Sequence, residues 1–136
     1  MKMNFYNIIF MVFLFLSNNI QAQKPNQMPV YPGCEHSNEQ MKCMHDKLLN
    51  FIESHFDSGV LHKIKDEKEV NVHVAFIIDE SGEIENMEIK SAYPEIIKEM
   101  TKTLKQLPKI QPAKLDEKPI RMRYELPVSF EIGQKR

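Results

Sequence analysis

The sequence predicts an α+β fold in which two helices pack on one face of a three-stranded antiparallel sheet. Two observations support this class. Apolar residues recur at helical spacing in two segments, and they alternate with a period of two in three others. The order along the chain is helix, strand, strand, helix, strand, which is typical of helices covering one sheet face. With 136 residues, 42% of them hydrophobic and 27% charged, the chain can build one core of ordinary size.

The first predicted helix follows an extended lead. Residues 24–33 contain three prolines and a glycine, so they are poor helix formers. Helical spacing begins at Asn38, which, like Ser37, is a suitable N-cap, and residues 57–59 are expected to close the helix. The residues at helical spacing are Met41, Met44, Leu48, Phe51 or Ile52, and His55 or Phe56.

Two strands and a tight turn come next. The segment Val70–Ile78 alternates more clearly than any other, and Asp79–Gly82 predicts a turn back into a second strand over residues 84–91. On that second strand Ile84 is out of phase with Met87 and Ile89. We therefore expect a bulge or a change of face near Ile84.

The second helix and the last strand complete the fold. Pro94 suits the first turn of a helix, and Pro108 ends the pattern. The apolar stripe between them is Ile96, Ile97, Met100, Leu104 and Leu107. Apolar residues then occupy alternate positions from Ile120 to Ile132, which predicts one long strand. Pro127 lies inside it and cannot donate a main-chain hydrogen bond, so this strand is expected at an edge or with a bulge.

The first 23 residues differ in character from the rest. Lys2 precedes a nearly unbroken apolar run over Phe5–Leu16, which is too short for a spanning helix, and a small residue follows at Ala22. This pattern predicts a secretory signal peptide over residues 1–23, with an uncleaved inner-membrane anchor as the alternative. The remaining chain divides into an extended lead (24–37), one domain (38–132) and a polar tail (133–136).

Charge and motif content exclude several functions. The net charge of −1 excludes the basic footprint of a general nucleic-acid binder. The serines lie at predicted caps, turns and strand ends, and no carboxylate stands alone in an apolar setting, so we predict no catalytic site. The sequence gives no indication of a bound cofactor.

Two cysteines lie in similar triplets, Cys34-Glu35-His36 and Cys43-Met44-His45. In an exported protein, two closely spaced cysteines favour a disulfide that joins the lead to the first helix. The alternative is a zinc or copper site formed by Cys34, His36, Cys43 and His45, since thiolate and imidazole suit both metals.

The last strand presents the other candidate site. Arg121 and Arg123 lie on its outer face, and an edge strand has free main-chain groups that can accept another strand. Two interpretations stay open: the charges select a partner strand, or they only protect the edge from aggregation.

Several stretches in this order resemble the C-terminal domain of TonB-type energy transducers, in the sub-group whose domain begins with a cysteine-containing lead. They are residues 29–35 (PVYPGCE), Cys43-Met44, residues 72–84 (VHVAFIIDESGEI) and residues 107–130. The resemblance implies the same helix and strand order. It also implies recognition of outer-membrane receptors, whose N-terminal segment adds as a strand beside the last strand. By position, the binding edge would be Arg121, Met122, Arg123, Tyr124, Glu125 and Leu126.

The chain departs from the family pattern in two respects. Full transducers have a membrane anchor and a long proline-rich spacer, whereas here we expect a cleavable signal and a short lead. Family members also often have glycine where this chain has Ala113 and Glu117.

We therefore expect an exported, periplasmic, non-enzymatic binding module linked to TonB-dependent transmembrane transport. Its expected partner is an outer-membrane TonB-dependent receptor or another periplasmic protein, and a homodimer through the last strand is a further possibility. The competing interpretation is a small periplasmic metal-binding protein that uses the four cysteine and histidine residues.

Overall fold

A computed structural model describes residues 24–133, so the predicted signal peptide and residues 134–136 of the predicted tail lie outside the described part. The α+β class is confirmed, with the helices and strands in the predicted order. The main elements are helix α1 (Gln40–His55), strand β1 (Glu69–Ile78), strand β2 (Ile84–Lys90), helix α2 (Pro94–Leu104) and, after two short strands, strand β5 (Met122–Glu131). A 3-10 helix over Ser58–Lys63 was not predicted.

The main sheet is antiparallel with the strand order β2–β1–β5. β1 is the central strand, and its register with β5 runs without interruption from Glu69↔Glu131 to Ile78↔Met122. The even-numbered residues of β1 are buried, as the alternation in the sequence predicted. Their side chains share one core with the buried apolar residues of both helices, namely Met44, Leu48, Ile52, Ile96, Met100 and Leu104.

The expected irregularity near Ile84 is present in β2. The register with β1 shifts between Ala75 and Ile77, and Asn86 adopts a positive φ of 49°. One extra residue in β2 at this point returns Ile84 to the core side of the sheet, opposite the buried Ile78. The bulge therefore places Ile84 on the same face of the sheet as Met87 and Ile89, although the three are out of phase in the sequence.

Helix α1 begins later than the sequence suggested. Its N-cap is Glu39, which makes no side-chain capping hydrogen bond, whereas Ser37 Oγ accepts the N–H of Glu39 at 3.2 Å. Ser37, one of the two predicted caps, thus orders the turn before the helix instead of its first turn.

The prediction of one strand from Ile120 to Ile132 was wrong at its beginning. Strands β3 (Ala113–Leu115) and β4 (Lys118–Ile120) form a separate hairpin, in which Ile120 pairs with Ala113. Asp116 and Glu117 make the two-residue turn, both with positive φ (48° and 65°). Because neither is the glycine that such turns favour, the sequence gave little sign of a hairpin here.

The lead packs on the domain. The main chain of Gln27 pairs with that of Lys114, and Val30 pairs with Gln111 through two hydrogen bonds of 3.0 Å. Val30 and the neighbouring Tyr31 are buried in the common core. The extended backbone predicted for this segment thus serves as a strand-like strap across the start of the β3–β4 hairpin.

Candidate partner-binding edge

β5 forms one edge of the main sheet. It pairs with β1 on one side, and none of residues 24–133 pairs with it on the other. The resemblance found in the sequence predicts that the partner-binding residues are Arg121–Leu126, on the last strand. The structure shows that Met122–Leu126 lie in β5, whereas Arg121 lies between β4 and β5.

Hydrogen bonds at the two ends of the sheet define which main-chain groups of β5 point outward. The N–H of Ile132 donates to the carbonyl of Lys68 at 2.8 Å, directly beyond the paired ends of β5 and β1. On the other side of β1, the N–H of Asp79 donates to the carbonyl of Glu83 at 2.9 Å. Since bonded and non-bonded positions alternate in an antiparallel pair, even-numbered residues of β5 bond to β1. The main-chain groups of the odd-numbered residues face away from the sheet.

Pro127 occupies one of these outward positions. Its missing N–H therefore costs no hydrogen bond to β1, where it lies opposite His73. The sequence-based expectation that Pro127 marks an edge is confirmed.

The six candidate residues are divided between the two faces of the sheet. Tyr124 and Leu126 are buried, and Met122 is half-buried on the same side. Tyr124 packs on Phe76 with ring centroids 5.7 Å apart, and burial raises the pKa of its hydroxyl. The charged residues Arg121, Arg123 and Glu125 are exposed on the opposite face. The buried and half-buried side chains therefore anchor the strand in the core, whereas the three charged side chains lie beside the free edge.

Arg123 reaches across the sheet instead of projecting from it. Its two terminal nitrogens donate to the two carboxylate oxygens of Glu88 on β2, at 3.1 and 3.2 Å, and its Nε donates to Glu125 at 3.0 Å. Ala75 of β1 is the register partner of both Glu88 and Glu125. Because alanine is small, the guanidinium can span the central strand, and Ala75 is fully buried beneath these side chains.

Two further pairs extend the charge network. Arg121 forms an ion pair with Glu85, and His73 Nε2 lies 3.6 Å from a carboxylate oxygen of Glu125. Hydrogen bonds from Arg123 are the main cause that lowers the pKa of both Glu88 and Glu125. Arg121 and Arg123 are therefore both paired with acids of β2. Sequence reasoning missed Glu85 and Glu88, because only the strand order reveals that they face Arg121 and Arg123.

The last part of the chain also matches a known family. A sequence model of the C-terminal part of the Gram-negative bacterial TonB protein matches residues 63–132, which span β1 to β5. The chain belongs to the TonB C-terminal family. No curated protein matches the chain.

The family match sets the general function. TonB C-terminal domains are periplasmic, transport-related modules without enzymatic activity, and they bind proteins such as outer-membrane receptors. The matched residues contain the free edge of β5, whereas helix α1 and both cysteines lie outside the match. Within residues 24–133, the helices are too short or too polar to cross a membrane.

The cysteines of this TonB C-terminal protein form the disulfide that the sequence favoured. Cys34 and Cys43 are joined, with their Cα atoms 5.8 Å apart, and Cys34 is fully buried. The bridge consumes both thiolates that the alternative metal site would need, and it leaves His36 exposed. Among residues 24–133, no group of three or more potential ligands is arranged to hold a metal ion.

Proposed function

We propose that this TonB C-terminal protein binds a partner in the periplasm by accepting an extended segment at the outer edge of β5. The proposed partner is an outer-membrane TonB-dependent receptor or another periplasmic protein, and the proposed process is TonB-dependent transport. One observation carries the proposal: β5 is a terminal strand whose odd-numbered main-chain groups point away from the sheet. Free N–H and C=O groups in this arrangement are what an added strand pairs with.

The ion pairs on the sheet support this mode of binding. Glu88 holds the guanidinium of Arg123 over Ala75, which keeps this long side chain on the sheet face and away from the edge. A partner strand could then approach the N–H and C=O of Arg123 without displacing the side chain. Because both arginines already have carboxylate partners, we expect main-chain pairing, rather than contact with acidic side chains, to supply most of the affinity.

Export to the periplasm is part of the proposal. The disulfide supports it, since such bridges persist mainly in oxidising compartments. N-terminal sequencing of the exported protein tests the predicted signal peptide: a start near Gln23 supports cleavage, and an intact Met1 supports the anchored alternative.

A proline substitution at an outward position tests the binding edge. Arg123→Pro removes an outward N–H but, like the natural Pro127, no hydrogen bond to β1, so the fold should persist. The matched control is Arg123→Ala, which loses the ion pairs to Glu88 and Glu125 but keeps the N–H. Each purified variant is used to capture receptors from detergent-solubilised Gram-negative outer membranes.

We expect Arg123→Pro to abolish receptor capture, with a circular dichroism spectrum like that of Arg123→Ala. Arg123→Ala should retain most of the capture. Equal capture by both variants would remove the β5 edge from consideration.

A second copy of the chain could occupy the same edge. Light scattering over a concentration series tests this possibility, and a dimer that Arg123→Pro converts to a monomer would identify β5 as its interface.

A further inference from the structure

The outer edge of β5 is not uniform along its length. Within the strand, the outward main-chain positions are Arg123, Glu125, Pro127, Ser129 and Glu131. Four of them offer both an N–H and a C=O, and the middle one offers only a C=O. Pro127 thus separates the edge into an N-terminal half and a C-terminal half.

We propose that Pro127 acts as a register stop, so that a docked strand pairs with Arg123 and Glu125 and ends before Ser129. This inference rests on the proposed function and specifies the partner: an extended segment of about five residues that ends, or leaves the sheet, opposite Pro127. A longer strand would place one of its own carbonyl groups opposite the missing N–H, where that carbonyl is left without a donor.

Position and surroundings support the N-terminal half as the binding segment. Arg123 and Glu125 are fixed by the bonds between their own side chains and to Glu88, and Tyr124 between them is buried against Phe76. The C-terminal half also has two outward positions, Ser129 and Glu131, but the second of them is the last residue of β5. A proline on an exposed edge also limits long edge-to-edge pairing between copies, so it would favour a short partner segment over self-association.

Two capped peptides of alternating threonine and valine, five and nine residues long, serve as probes. The exported, oxidised protein is labelled with ¹⁵N, and amide hydrogen exchange is measured by NMR with each peptide. We expect protection of the Arg123 and Glu125 amides, no protection at Ser129 and Glu131, and dissociation constants for the two peptides that agree within about twofold.

Pro127→Thr supplies the missing donor without altering the pairing with β1. In this variant, we expect protection to spread to Ser129 and the nine-residue peptide to bind at least about fivefold more tightly, because additional main-chain bonds form. The five-residue peptide should bind as it does to the unaltered protein. A thermal melt confirms that the variant is folded.

The outcomes separate this inference from the proposed function. Protection of Ser129 in the unaltered protein, or no gain for the longer peptide with Pro127→Thr, overturns the register stop and leaves docking at β5 intact. Absence of protection at both Arg123 and Glu125 refutes docking at this edge, and with it the proposed function.

Discussion

Gly82, in the turn between β1 and β2, is a position where one methyl group should be strongly destabilising. Its φ is +86°, and a Cβ atom there would lie 3.2 Å from the carbonyl carbon of Ile110 and closer still to the carbonyl oxygen. The N–H of Ile110 also donates to the carbonyl of Gly82 at 3.0 Å. The turn and the segment before β3 are therefore in direct main-chain contact.

The cost of Gly82→Ala has two parts. A left-handed conformation costs an L-residue about 1–2 kcal/mol. Relief of the clash must move the Ile110 backbone away, which breaks its hydrogen bond between two buried residues and costs about 1–3 kcal/mol more. Together these parts lower the expected free energy of unfolding by about 2–5 kcal/mol, a large share of the total for a domain of this size.

Gly33→Ala is the matched control. Gly33 has a similar φ of +90°, but its nearest neighbours are the terminal atoms of the flexible Lys47 side chain, at 3.9 Å. In this variant the free energy of unfolding should fall only by the cost of the left-handed conformation, about 1–2 kcal/mol. Urea denaturation followed by circular dichroism measures both. If Gly82→Ala loses no more stability than Gly33→Ala, the close contact between the turn and Ile110 is refuted.

Three other predictions concern stability. Glu117→Gly should raise the free energy of unfolding by about 1 kcal/mol, since φ at this position is +65°; an unchanged urea midpoint would contradict this. Replacing both Cys34 and Cys43 with serine should lower the free energy of unfolding by about 2–3 kcal/mol in the chain-entropy model. The unaltered protein, purified without reductant, should show no free thiol and no stoichiometric zinc or copper. Hydrogen bonds from Arg123 lower the pKa of Glu88 from 4.5, so their stabilisation should be complete above that pH and lost as the pH falls through the lowered pKa. The urea midpoint should thus drop more between pH 7 and pH 3 in the unaltered protein than in Arg123→Ala, and equal drops would refute the coupling.

Strict periodicity made most of the fold predictable. The alternation from Val70 to Ile78 fixed both the existence of β1 and its buried face, because this strand is central and only one side meets the core. Ile84, Met87 and Ile89 must also face the core on one side of the sheet, so the change of phase at Ile84 indicated where β2 has its bulge. The β3–β4 hairpin was missed because its strands are three residues each, too short for a pattern, and its turn uses Asp116 and Glu117 instead of asparagine and glycine.

The candidate site was predictable in position but not in electrostatics. Periodicity placed Arg123 on the outer face, and Pro127 indicated an edge. The bond between Arg123 and Glu88, which lies 35 residues earlier in the chain, depends on the strand order β2–β1–β5. It also depends on the small side chain of Ala75, which lies on the central strand between the two residues. Neither condition is visible in local sequence, because it arises only when three separate segments come together in one register.

The uninterrupted pairing of β1 with β5 has a mechanical consequence. A pull along the axis of a strand attached to the outer edge of β5 acts perpendicular to the hydrogen bonds that join β5 to β1. That ladder covers ten residue pairs, from Glu69↔Glu131 to Ile78↔Met122. The load is then in shear, and the hydrogen bonds of this ladder bear it together instead of opening one after another from an end. The geometry that leaves the edge open therefore also makes it resistant to traction along the strand.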